Sequence, residues 1–334
     1  SKRSAEQIVR DAARSFDAFY GGRNRCLPRP SETGTVLVAA VDCKGIPMVK
    51  PEQALRVVRL GKGKKANKKR MATVAAVFTH EPRIRTPEEV VASHFQGGLR
   101  LCQGDDETPR WPGPEHKRIW ASLERSKDEV IAEIVQEVRR RDPKLKKLLA
   151  VVVDGERALT LRTARELPRA IQILDLMHAL ERLWKCAHCF HAEGSAEAEA
   201  WVRERTLAIL RGQVSQTVKG IRSSATKRGL APEKRAAVHE ATAYLLRNKK
   251  RMRYHEYLAL GLPIASGSVE GACKNLIKDR MERSGMRWTI ETAEAMLRLR
   301  AIYLSGDFDD YWQFHMKQEA ARLYPEGRWQ VTEK

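Results

Sequence analysis

Two apolar runs, Val36-Leu37-Val38-Ala39-Ala40-Val41 and Leu148-Leu149-Ala150-Val151-Val152-Val153, each stop at an aspartate, Asp42 and Asp154. Short valine-rich runs without polar alternation predict strands buried on both faces. After Asp42, Cys43-Lys44-Gly45 reads as a turn and Ile46 to Val49 as a returning strand, so a hairpin is expected there. Met71 to Thr79 predicts a third strand. A polar excursion through Gly97 to Pro114 then leads to a helix in which Val130, Ile131, Ile134, Val135 and Val138 share one face, ended by Pro143. Ala170 to Leu174 predicts a fifth strand that runs into a helix from Asp175 to Trp184.

The ends of the chain read differently. Residues 1–23 predict a short helix, broken by Pro28, Pro30 and Gly34. From Cys186 to Gly261 the pattern is helical throughout, with Ala198, Val202, Thr206 and Ile209 on one face. After Pro263, a helix is expected over Ser268 to Glu282, with Val269, Ala272, Cys273, Leu276, Ile277 and Met281 as its buried stripe. Strands, a helix, two more strands and then helices describe an α/β chain with a ribonuclease H-like mixed sheet flanked by helices and interrupted by an all-helical insertion. The expected organisation is an N-terminal helix and linker over 1–35, the α/β domain over 36–185 and 262–315, a helical insertion over 186–261, and a charged tail over 316–334.

Charge adds a partner class. The 334 residues carry 62 Lys and Arg against 42 Asp and Glu, a net charge of +20. Such an excess points to a polyanion, with nucleic acid first. The apolar strand segments are too short to span a bilayer and no signal peptide opens the chain, so an intracellular, nucleoid-associated protein is expected. Six scattered cysteines do not resemble a disulfide framework, and reduced thiols are expected. Cys186-Ala187-His188-Cys189-Phe190-His191 lacks a second Cys pair or a spaced His pair, so it reads as small buried positions on a helix rather than as a zinc site.

Against that background, three acids stand out. Asp42 and Asp154 end buried strands, and Glu270 opens an amphipathic helix. Clustered carboxylates repel one another at low dielectric, so three that converge imply a cation that balances them. Asp175 and His178 are three apart and share a helix face with Arg182. Either the pair lies beside the acids or it is a buried Asp–His hydrogen bond fixing the helix.

Several segments together carry a family resemblance: Val41-Asp42-Cys43-Lys44-Gly45, Met71 to Val77, Val153-Asp154-Gly155, Asp175 to Glu181, Gly267-Ser268-Val269-Glu270, and Arg280 to Trp288. Over about residues 36–315 the chain resembles the DDE transposases of ISKra-type bacterial insertion sequences, and its Asp-x-x-His element is similar to that of the Mutator-like and hAT groups. The resemblance implies a catalytic domain that cuts transposon ends and joins the 3′-hydroxyl to target DNA. Asp42, Asp154 and Glu270 would be the triad, holding two Mg²⁺ or Mn²⁺ ions, with Asp175 and His178 in support. Double-stranded DNA would be the partner, and a homodimer or higher oligomer would pair two ends. A nuclease without strand transfer and a decayed, DNA-holding copy remain alternatives. Family members generally carry a separate DNA-binding region ahead of the catalytic domain, whereas about 35 residues precede the first strand here, so either a truncated chain or one recorded from mid-frame is expected.

The basic positions expected to contact DNA are Lys62, Lys64, Lys65, Lys68, Lys69 and Arg70 in one run, and Lys249, Lys250 and Arg251 in another. Arg280, Arg287 and Trp288 join them, Trp288 either stacking on a base or serving as core.

Overall fold

A computed structural model describes residues 2–22, 29–49, 69–95, 113–265, 267, 271 and 273–325. Its centre is a five-stranded sheet in the order β3-β2-β1-β4-β5, with β1 at Val36–Pro47, β2 at Lys69–His80, β3 at Glu115–Ser122, β4 at Leu148–Val153 and β5 at Ile171–Leu174. β2 runs antiparallel to β1 and to β3, while β4 and β5 run parallel to β1. This mixed order, with helices following β3, β4 and β5, is the ribonuclease H-like α/β fold. The apolar runs at Val36–Val41 and Ala150–Val153 are buried along their whole length, as strands with neighbours on both edges and cover on both faces require.

The expected hairpin at Cys43-Lys44-Gly45 is not formed. β1 continues through these residues to Pro47, and Gly45 pairs with Met71 in an extended ladder. A Cβ on Gly45 would lie 2.8 Å from the Cβ of Lys69, so the glycine answers a close strand approach rather than a turn. A strand not expected from the pattern, β3, forms the sheet edge next to β2.

Up to Ala259 the helices, in chain order, are α1 (Lys2–Ala13), α2 (Phe16–Gly22), α3 (Pro87–Phe95), α4 (Lys127–Arg141), α5 (Arg157–Glu166), α6 (Leu176–Phe190), α7 (Ala196–Leu210), α8 (Val214–Lys227), α9 (Pro232–Asn248) and α10 (Tyr254–Ala259). α4 starts at a capping box, in which Ser126 Oγ accepts from Glu129 N and Glu129 reaches back to Ser126 N. It packs against β1 and β2, and α5 packs against β4. α7, α8 and α9 pack in succession, and α6 lies against α7 and α9. Cys186 and Cys189 face that interior, with Cys189 Sγ donating to the Lys185 carbonyl at 3.3 Å. Helix Ile290–Ser305 covers the free edge of β3: Glu294 accepts from Ser122 Oγ and Leu123 N, both at 2.8 Å, and Ser305 Oγ accepts from Ile119 N at 2.9 Å. An edge strand covered in this way offers no open template for another chain. Among the described residues no helix is long and apolar enough to cross a membrane.

Candidate metal centre

Sheet register assembles the site. Val41 of β1 is the register partner of Val153 of β4, and Val153 is the partner of Leu174 of β5. The next residue of each chain segment is an aspartate, so Asp42, Asp154 and Asp175 follow one another across three parallel strands, Asp42 within β1 and the other two just past the ends of β4 and β5. Ligand sites in open α/β sheets form at such ends. Asp42 and Asp154 remain half-buried, whereas Asp175 is fully buried and caps α6, its carboxylate accepting from Met177 N at 2.8 Å. That cap places His178 in the first turn of α6.

One oxygen each from Asp42 and Asp154 and one ring nitrogen of His178 lie within 4.8 Å of one another. His178 therefore stands with the two carboxylates, where the sequence put it in a supporting position. Asp42 Oδ1 accepts from Cys43 N at 2.6 Å, and its Oδ2 takes the Cys273 thiol at 3.4 Å. Asp154 Oδ1 accepts from Glu156 N at 2.7 Å. Beneath it, Arg251 Nη2 donates to the Asp154 carbonyl at 3.1 Å and to Asn248 Oδ1 at 2.7 Å. Arg251, expected at a DNA surface, is instead 8% exposed and braces the loop that carries Asp154. Gly155 makes room for the Tyr244 ring, which a Cβ would meet at 2.2 Å, and Arg182 stacks on that same ring at 4.4 Å.

Asp42 and His178 open onto a cleft of about 460 Å³ that is also lined by Lys44, Glu181, Cys273 and Lys278, and by Gly267 and Gly271. Glu270 itself lies outside the described residues, as do Lys62, Lys64, Lys65 and Lys68. Lys44 escaped the sequence reading, although residues two apart on a strand share a face and Lys44 therefore sides with Asp42. Cys43 takes the opposite face, its Sγ 4.0 Å from Thr73 Oγ1. The segment expected as one helix over Ser268 to Glu282 contains a π-helical stretch at Cys273–Lys278 and a short α-turn at Asp279–Met281; Cys273, Leu276, Ile277 and Met281 are buried as the stripe requires. π-Helical turns are frequent at functional sites.

The electrostatics suit a cation. Burial raises the Asp154 carboxyl above the usual carboxylate value, the Glu156 N–H opposes that, and the Asp42 charge adds to it. Two carboxylates and an imidazole held this close are a donor set that fits a divalent metal. Replacing Asp154 with asparagine removes one of the two like charges. The metal-free protein is then expected to melt about 1–3 °C higher, and an upward shift with Mg²⁺, expected for the parent, is expected to be absent from the variant. Calorimetry in EDTA and in Mg²⁺ checks both.

The remaining basic positions spread over the surface. Lys69, Arg70, Lys249, Lys250, Arg280 and Arg287 are exposed, with Lys69 paired to Glu282 at 2.8 Å and Lys249 donating to Ser215 Oγ at 3.2 Å. Trp288 is half-buried and tied to the end of β1: its backbone exchanges hydrogen bonds with Pro47 and Val49, and its indole donates to the Met281 carbonyl at 3.0 Å. Those bonds give Trp288 a structural task.

No protein-family model matches the chain, and no curated protein matches it. Among solved structures, the Drosophila P element transposase strand transfer complex is similar at 8% identity and a TM-score of 0.28, over 89% of this chain and 69% of that one. A likeness of that size does not bear on what the chain does.

Proposed function

We propose that the protein is a metal-dependent DNA transposase of the ISKra type, which cleaves transposon ends and transfers the 3′-hydroxyl into target DNA. The observation that carries this reading is the convergence of Asp42, Asp154 and His178 beside the carboxyl ends of β4 and β5 in a ribonuclease H-like sheet. Glu270 is assigned the third carboxylate of the site, because Gly267 and Gly271 on either side of it line the same cleft as Asp42. Two bound Mg²⁺ or Mn²⁺ ions would stabilise the attacking and leaving oxygens of an in-line displacement. Asp42 and Asp154 hold charge where such ions bind, and His178 adds an imidazole nitrogen beside them. Lys44 and Lys278 place positive charge on the cleft wall, where a DNA phosphate is drawn in and oriented. Asp175 acts indirectly, by fixing the start of α6 and with it the imidazole. The chain-wide excess of +20 supplies attraction for duplex DNA. Helices α7–α10, between β5 and the segment that bears Glu270, are read as the helical insertion of this family.

Incubating the protein with a labelled donor end and a target plasmid in Mg²⁺ tests the proposal. Joined donor–target products are expected, and they should be absent in EDTA. Cleaved ends without joined products would reduce the protein to a nuclease, and a mobility shift without any cut strand would leave a DNA-holding protein.

A further inference from the structure

A second cavity, also about 460 Å³, adjoins the metal cleft and shares Gly267 with it. Phe78, His80, Arg83, Arg85 and Pro263 are among its walls. Its location follows from register. Phe78 is the cross-strand partner of Val38 and His80 of Val36, while Asp42 partners Val74. Directly opposed residues share a sheet face, and so do residues two apart. Phe78, His80 and Asp42 therefore lie on one face of the sheet. Asp42 lies four positions beyond Val38, about 13 Å along the strand, so a bound DNA strand crosses from one cavity to the other within a few nucleotides.

The lining has the chemistry of a nucleotide. Phe78 and His80 stand 6.1 Å apart between ring centroids and are tilted by 33°, which gives one aromatic wall for a base. Arg85 is fixed in place by its backbone N–H to the Leu258 carbonyl at 3.4 Å and its Nη2 to the Leu262 carbonyl at 3.4 Å. Gly261, with φ at +71°, lets the Pro82–Arg83 backbone approach so closely that a Cβ would lie 2.5 Å from Arg83 N. Both arginines are thus held by a rigid loop contact. Burial and the neighbouring Arg83 lower the Arg85 pKa, and the Glu89 charge opposes them. Arg85 Nε and His80 Nε2 are buried without a hydrogen-bond partner among the described residues. Glu81 also lines the cavity and its side chain is exposed, so the opposing charge sits in water. A volume of this size suits a single small ligand and is too narrow for a duplex.

We infer that this cavity takes one unstacked nucleotide of the strand held at the metal centre, its base against Phe78 and His80 and its phosphate on Arg83 and Arg85. The inference rests on the DNA-processing reading and adds to it a place where the strand is splayed. Its consequence is position-specific: one base, a few nucleotides from the phosphate at the metal centre, contributes to binding through its face rather than its sequence.

The test is an abasic scan. A fluorescein-labelled duplex with a six-nucleotide 3′ overhang is titrated with the protein in Ca²⁺ by anisotropy, and each overhang nucleotide in turn is replaced by an abasic linker. One position is expected to weaken binding by about fivefold or more. In His80→Ala that penalty is expected to fall to near unity. In Arg85→Gln and in Arg83→Gln, a methylphosphonate at the same nucleotide is expected to lose its effect. Arg83 is exposed, so Arg83→Gln keeps the test valid should Arg85→Gln unfold. Tight binding with no sensitive position, or a penalty unchanged in these variants, overturns the nucleotide site and leaves the transposase reading standing. No binding of the duplex overturns both.

Discussion

Replacing Asp42 with asparagine is expected to slow metal-dependent DNA cleavage by at least about a thousandfold while leaving the fold intact. The residue sits at the centre of the site: one oxygen lies with Asp154 and His178, and Oδ2 meets the Cys273 thiol. Asparagine keeps the shape and an acceptor for the Cys43 N–H, but removes the charge on which cation binding depends. No cationic side chain forms an ion pair with Asp42 among the described residues, so the structural tie at risk is the Cys273 thiol contact to Oδ2. Single-turnover cleavage at saturating protein reads the loss, and far-ultraviolet circular dichroism with DNA affinity in EDTA checks that fold and binding survive. Cleavage within about tenfold of the parent would remove Asp42 from the chemistry.

Which of these features could be read along the chain depended on how much of each signal was local. β1 and β4 declare themselves because a strand buried on both faces needs an unbroken apolar run. β3 does not, because its first half is polar: Glu115, Lys117 and Arg118 are only partly buried, and the apolar positions begin at Ile119. α5 was equally hidden, burying only Leu159 and Thr163 from ten residues. Gly45 misled because glycine serves turns and close strand contacts alike, and only the partner strand distinguishes them. The two aspartates were legible as the ends of apolar runs, although β1 continues past Asp42, but their distance from His178 was not. That distance depends on the register of β5 against β4 and on the Asp175 cap, neither of which leaves a periodic trace. Arg251 shows the same limit from the other side, since a cation in a basic run looks solvent-facing until the tertiary fold closes over it.

A second large effect belongs to a charge with no part in the site. Glu137 on α4 is 2% exposed and bonds Arg118 of β3 at 2.6 Å and Arg141 at 2.8 Å; Arg118 in turn stacks over Tyr20 at 4.2 Å and Trp120 at 4.7 Å. One carboxylate thus joins α4, the edge strand and α2. Burial alone would raise its pKa, but the two guanidiniums prevail and hold it below the usual value of 4.5. Glu137→Ala leaves Arg141, 7% exposed, and Arg118 without their shared counter-charge. Breaking a buried pair from one side costs about 3–5 kcal/mol, a large share of a typical stability of about 5–15 kcal/mol. The urea midpoint of the variant is therefore expected to drop steeply. A depressed carboxylate contributes fully above its unfolded pKa and loses that contribution as pH falls through the folded one, so parent and variant are expected to converge below about pH 4.5. Where Glu137 is neutralised by the protein's own arginines, Asp42 and Asp154 face each other with their balance left to a cation from outside. Mg²⁺ should accordingly raise the midpoint of Glu137→Ala by the same increment as the parent's, and a lost increment would mean that the two sets of charges are coupled through the sheet.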